Sequence, residues 1–76
     1  MIHPSKFTSR ELQVISMVAS GSRTKDVAIR LGITHHTAEA HRQHAMAKAN
    51  WQSVVELTHW ALAVGVADNQ YARQVA

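Results

Sequence analysis

Apolar residues recur along this chain at helical rather than alternating spacing, and capping residues divide the recurrence into four segments. Thr8-Ser9-Arg10-Glu11 reads as a capping box: the Thr8 hydroxyl accepts from the Glu11 backbone N–H, and the Glu11 carboxylate reaches back to that of Thr8. Phe7 and Leu12 occupy the two positions of a hydrophobic staple. Leu12, Ile15, Val18 and Ala19 come next at helical spacing with Val14 and Met17 beside them, and Gly21 supplies a stop. A first helix is therefore predicted over about residues 9–20. Val27, Ala28 and Leu31 predict a second, from Thr24 to Leu31, with Ser22 or Thr24 as its cap and Gly32 as its end. Gly32-Ile33-Thr34 is a short connection: the glycine permits a left-handed turn, Ile33 can plug the core, and Thr34 caps the next helix.

The third predicted helix runs from His35 to about Ala49. Ala38, His41, Ala45 and Ala49 share one face with Met46 nearby, and Glu39, Ala40, Arg42, Gln43 and Ala47 lie on the opposite side. A thin stripe of small apolar residues opposite a low-profile polar face suits a helix that lies in a groove; it also suits an ordinary amphipathic surface helix. A fourth helix is predicted from about Gln52 to Val64. Leu57, Ala61 and Val64 form one stripe with Trp60 beside it, while Val54, Val55, Thr58 and Leu62 form a second. Three other short helices cannot cover both. The second stripe is expected to join two copies of the chain about a two-fold axis, the alternative being a tail over 67–76 that folds back across it.

Composition narrows the class. Seventy-six residues make one small domain, and 46% apolar residues with three glycines and one proline fit a folded chain. No apolar run is long enough to span a bilayer, and no apolar segment of a secretory signal stands after Met1, so a soluble cytoplasmic domain is expected. The absence of cysteine excludes disulfides and thiolate metal sites. Charge is uneven: residues 1–50 hold seven basic and three acidic side chains, residues 51–76 one basic and two acidic. A basic first two-thirds before an apolar third suggests a polyanion-facing part and a packing part. Of the six histidines, His41 and His44 stand at i, i+3 without a third ligand on their face, so no metal is expected. No nucleophile–base–orienter pattern appears, so neither catalysis, a cofactor nor a small-molecule ligand is expected.

Two helices joined by Gly32-Ile33-Thr34 fit the helix-turn-helix plan. Phe7-Thr8-Ser9-Arg10-Glu11, Val14, Gly21, Lys25-Asp26-Val27-Ala28, Leu31-Gly32-Ile33-Thr34, Thr37, His41-Arg42 and Lys48 together resemble the LuxR/GerE-type DNA-binding domain, without gaps, over about residues 7–64. The resemblance implies an all-α, four-helix fold that places its third helix in the DNA major groove and dimerises through its fourth. It implies base reading at Glu39, Ala40 and Gln43, and phosphate contacts from Thr24, Lys25, Thr37, His41, Arg42 and Lys48, to which His36 in the first turn of the third helix is added. Val54, Val55, Thr58 and Leu62 become the dimer surface.

Where the family usually carries a cation, this chain has Glu39, which can accept from cytosine N4 while repelling phosphate; Gln43 can pair with adenine N6 and N7. Ala38 and Ala49 are smaller than the family's usual residues, and Trp51 is placed to refill that volume. Arg23 replaces the usual cap of the second helix. The expected organisation is an arm over 1–6, the domain over 7–66, and a tail or short helix over 67–76, capped by Asp68 and reaching Val75. The expected function is a stand-alone transcription regulator that binds an inverted repeat as a homodimer. RNA polymerase or a second LuxR-type regulator are further partners, and protonation of the histidines near DNA should tighten binding. The alternative is a protein-interaction module that pairs through helix four with a larger LuxR-type regulator and inhibits it.

Overall fold

Among the described residues, three helices pack around a first. The computed structural model describes residues 2–66, and the short helix expected between Asp68 and Val75 lies outside them. A 3-10 turn at Pro4–Lys6 precedes α1 (Ser9–Ala19), α2 (Thr24–Leu31), α3 (His35–Ala49) and α4 (Val54–Val64), with no strand among the described residues.

The capping signals at Thr8 and Thr34 act as read, whereas neither Ser22 nor Thr24 caps α2. Thr8 Oγ1 accepts from the Glu11 N–H at 3.0 Å and Glu11 Oε1 accepts from the Thr8 N–H at 2.9 Å. Thr34 Oγ1 accepts from the Thr37 N–H at 3.1 Å and opens α3. Arg23 stands at the N-cap of α2 without a capping side-chain bond, as its chemistry requires, because a guanidinium has no acceptor to offer. The fourth helix starts at Val54, two residues later than expected. The cause is Glu56, whose Oε2 accepts from the backbone N–H groups of both Ser53 and Gln52 and holds them outside the helix.

Helix C-termini close in a repeated way. At α2, Gly32 adopts φ 69° and Ile33 N–H donates to Ala28 carbonyl at 3.0 Å. At α3, Asn50 adopts φ 58° and Trp51 N–H donates to Met46 carbonyl at 2.9 Å. Both are Schellman closures, in which a left-handed residue turns the chain and drops the next side chain back onto the core. The second directs Trp51 onto the core, whereas Ile33, expected to plug it, is only half-buried.

α1 is buried on two sides. Leu12 and Ile15 join Phe7, Ala45, Leu57, Trp60, Ala61 and Val66 in one cluster, while Val14 and Met17 join Val27 in another, and Val18 touches both. Val14 and Met17 are thus core residues, whereas Val18 and Ala19 are only half-buried. Trp51 and Ala49 both pack against the first cluster. The Trp51 ring stacks on Phe7 at 5.7 Å, and Trp60 meets both rings at 5.2 and 5.4 Å. The segment expected to be an arm is tied down: Ile2 packs against the same cluster, and Trp60 Nε1 donates to the Ile2 carbonyl at 2.7 Å.

Ser16 is fully buried and its hydroxyl finds no hydrogen-bond partner among the described residues. Ser16→Ala removes a desolvated, unsatisfied hydroxyl at almost constant volume, so stability should rise by about 1 kcal/mol, or roughly 4–8 °C in Tm. Thermal unfolding followed by circular dichroism checks this, and a lowered Tm would show that the hydroxyl is satisfied after all.

Candidate nucleic-acid interface

α2, the Gly32–Thr34 turn and α3 form the helix-turn-helix, with α3 carrying most of the expected site. Ala38 and Ala45 are fully buried and Ala49 half-buried, which sets the inward line of α3. At 3.6 residues per turn, His36, Ala40, Gln43 and Ala47 stack one above another on the opposite side. His36, Gln43 and Ala47 are exposed and Ala40 is half-buried, so this line faces solvent. His44 stands exposed beside it. Of the three expected base readers, Ala40 and Gln43 lie on the line and Glu39 lies to one side.

Glu39 is held by its own helix. Arg42 donates to Glu39 Oε1 from Nη2 at 2.6 Å and from Nε at 3.1 Å, and its Nη1 donates to Met46 Sδ at 3.1 Å. His35 Nε2 stands 3.7 Å from Glu39 Oε2. The pair is partly shielded, Glu39 being 32% and Arg42 20% exposed. The Arg42 hydrogen bonds, with the charges of Arg42 and His35, outweigh the opposing effect of burial and hold the Glu39 carboxyl below its ordinary range.

On the other flank, Lys48 Nζ donates to Glu11 Oε1 at 2.7 Å, so the α1 capping carboxylate also anchors the end of α3. Glu11 is nearly buried, which by itself would raise its carboxyl; the bonds from Lys48 and Thr8 and the Lys48 charge overcome this and lower it. Its folded value therefore lies below the unfolded one. The stabilisation is complete above the ordinary glutamate value of about 4.3 and is lost as pH falls through the folded value. Lys48→Met should remove much of this acid sensitivity. Urea midpoints measured from about pH 6 down to about pH 3 should converge for the two proteins at the acid end. Parallel curves would contradict the coupling.

The phosphate candidates divide accordingly. Arg42 and Lys48 already hold these internal partners. Lys25 is exposed and Thr24 half-buried at the start of α2; Thr37 and His41 are half-buried and His36 exposed on α3. Lys25 forms no ion pair among the described residues, and neither do Arg23 and Arg30, cations flanking and ending α2 that were not among the expected phosphate contacts. Locating the α3 axis from Ala38, Ala45 and Ala49 would have brought out His44 as well.

On α4, Leu57, Trp60 and Ala61 are buried, whereas Val55 is 60% and Leu62 64% exposed, with Val54 exposed and Thr58 half-buried beside them. The second stripe is an open apolar face. No cavity opens among the described residues, no grouping of three metal-ligating side chains occurs there, and no helix is long and apolar enough to cross a membrane.

Comparison with known proteins agrees with this architecture. An oxygen regulatory protein, NreC, of Staphylococcus epidermidis is 42% identical over 60 residues, 78% of this chain and 28% of its own length. NreC of Staphylococcus carnosus is 38% identical over 55 residues, 72% of this chain and 25% of its own. A transcriptional regulatory protein, TdiR, of Thauera aromatica is 34% identical over 55 residues, 72% of this chain and 24% of its own. The chain thus spans about a quarter of the curated relatives it matches. No solved structure matches it. The GerE profile, described as bacterial regulatory proteins of the luxR family, matches residues 5–61, three-quarters of the chain, and the chain belongs to that family.

Proposed function

We propose that this chain binds duplex DNA sequence-specifically as a homodimer and thereby regulates transcription in the bacterial cytoplasm, with α3 in the major groove and α4 joining the protomers. The observation that carries the reading is the outward line of α3. Its side chains are short and polar or small, on a helix held by the helix-turn-helix, so the backbone can approach base edges closely. Ala40 can touch a thymine methyl and Gln43 can pair with adenine N6 and N7. Lys25 and Thr24, at the start of α2, take phosphates; Thr37 and His41 take them from α3, and Lys48 joins from its end. Membership of the luxR family and the likeness to TdiR, a transcriptional regulatory protein, support transcription regulation as the output.

Titrating a labelled random-sequence duplex by fluorescence anisotropy over a potassium chloride series tests the binding. With ~6 phosphate contacts per dimer, log K against log salt should slope near −5. Absence of binding at low salt would overturn the reading and leave α4 as the surface through which the chain acts.

A further inference from the structure

Glu39 and the outward line of α3 carry an inference that rests on the DNA-binding reading and deepens it. A carboxylate that reads cytosine must offer a free oxygen to N4–H. Here Oε1 already accepts two bonds from Arg42, one of them at 2.6 Å, and Oε2 faces His35. Oε2 carries no hydrogen bond among the described residues, but Glu39 lies to one side of the outward line, and turning it to a base edge would pull Oε1 away from a short charge-assisted pair. Arg42 gains from the opposite arrangement: bonded to Glu39 and to Met46 Sδ, its guanidinium lies along the helix flank rather than in front of it. His36 has what Glu39 lacks. It is exposed, one turn before Ala40 on the same line, and it sits in the first turn of the helix, the part that reaches deepest into the groove. A neutral imidazole can donate one N–H, which guanine O6 or purine N7 accepts.

We propose that the base-reading line of α3 is His36, Ala40 and Gln43, and that Glu39 stands outside it as the positioning residue that keeps Arg42 against the helix flank. The half-site then contains a purine opposite His36 and an adenine opposite Gln43, with thymine methyls tolerated at Ala40. Specificity comes from short neutral side chains, and the restrained arginine keeps attraction to unrelated DNA low.

The test is selection from a random duplex pool with wild-type, Glu39→Gln, His36→Ala and E39Q/R42A proteins, then affinities over a salt series. Glu39→Gln should enrich the same motif as wild type while binding unrelated duplex about 3- to 10-fold more tightly at low salt. Its salt slope should steepen by about 2 per dimer as each freed Arg42 takes a phosphate, and that increment should vanish in E39Q/R42A. His36→Ala should lose preference at one position of each half-site and about fivefold in affinity for the wild-type motif. A motif altered at one base by Glu39→Gln, or unaltered by His36→Ala, overturns the inference alone. If wild type enriches no sequence, the DNA-reading account falls and the inference falls with it.

Discussion

Replacing Trp60 with alanine should remove most of the domain's stability and lower its melting temperature steeply. Trp60 is 6% exposed, packs edge-on to Phe7, leans on Trp51, and donates from Nε1 to the Ile2 carbonyl. It therefore joins α4, the α3–α4 connection and the N-terminal segment in one cluster. Truncating a buried tryptophan costs about 3–5 kcal/mol, and the hydrogen bond adds about 1. A domain of this size has only about 4–11 kcal/mol in total, so most of the margin goes. Trp60→Phe keeps the ring packing and gives up the bond, and should cost far less. Chemical and thermal unfolding of both variants separate these contributions. A Trp60→Ala protein melting within a few degrees of wild type would mean that the aromatic cluster is not the keystone of the α1–α4 packing.

Leu62→Glu should produce the largest functional effect without a cost in folding. Leu62 is 64% exposed, so a charge there costs the isolated protomer little, within about 0.5 kcal/mol. In the proposed two-fold dimer the same position would lie among Val54, Val55 and Thr58 of both copies, and two glutamates would be buried without partners. Light scattering should report a single 8.4 kDa chain that keeps the helical circular-dichroism spectrum, with a Tm that no longer depends on protein concentration. Affinity for an inverted repeat should fall by at least ~100-fold, because each protomer then binds its half-site alone. A variant that remains dimeric rules out this face of α4 as the joint.

What the sequence disclosed were features of short range. The capping box at Thr8 and Glu11, the Thr34 cap and the left-handed turn at Gly32 are chemical signals within a few residues of one another, and all are found. Two further local signals lie in the sequence. Ser53-Val54-Val55-Glu56 fits the capping-box spacing and marks the true start of α4, and Asn50 is the second-best residue for the left-handed position that ends α3. Glu39 and Arg42 were legible too, as opposite charges at i, i+3. The bonds between Glu11 and Lys48 and between Ile2 and Trp60 were not. They join residues 37 and 58 positions apart, and periodicity tells which face a residue occupies, not which neighbour it meets across helices. The same limit hid the double burial of α1. Val14 and Met17 are core because α2 covers that side, a fact of packing that α1 alone does not encode.

The most direct test of the central claim, that α3 reads duplex DNA in a two-fold dimer, is selection by the wild-type protein from a random duplex pool at low and moderate salt. The account predicts enrichment of an inverted repeat whose half-site centres lie about one helical turn, or a multiple of it, apart. Binding without enrichment, or enrichment of a single asymmetric half-site by a protein that scatters as a monomer, would contradict it.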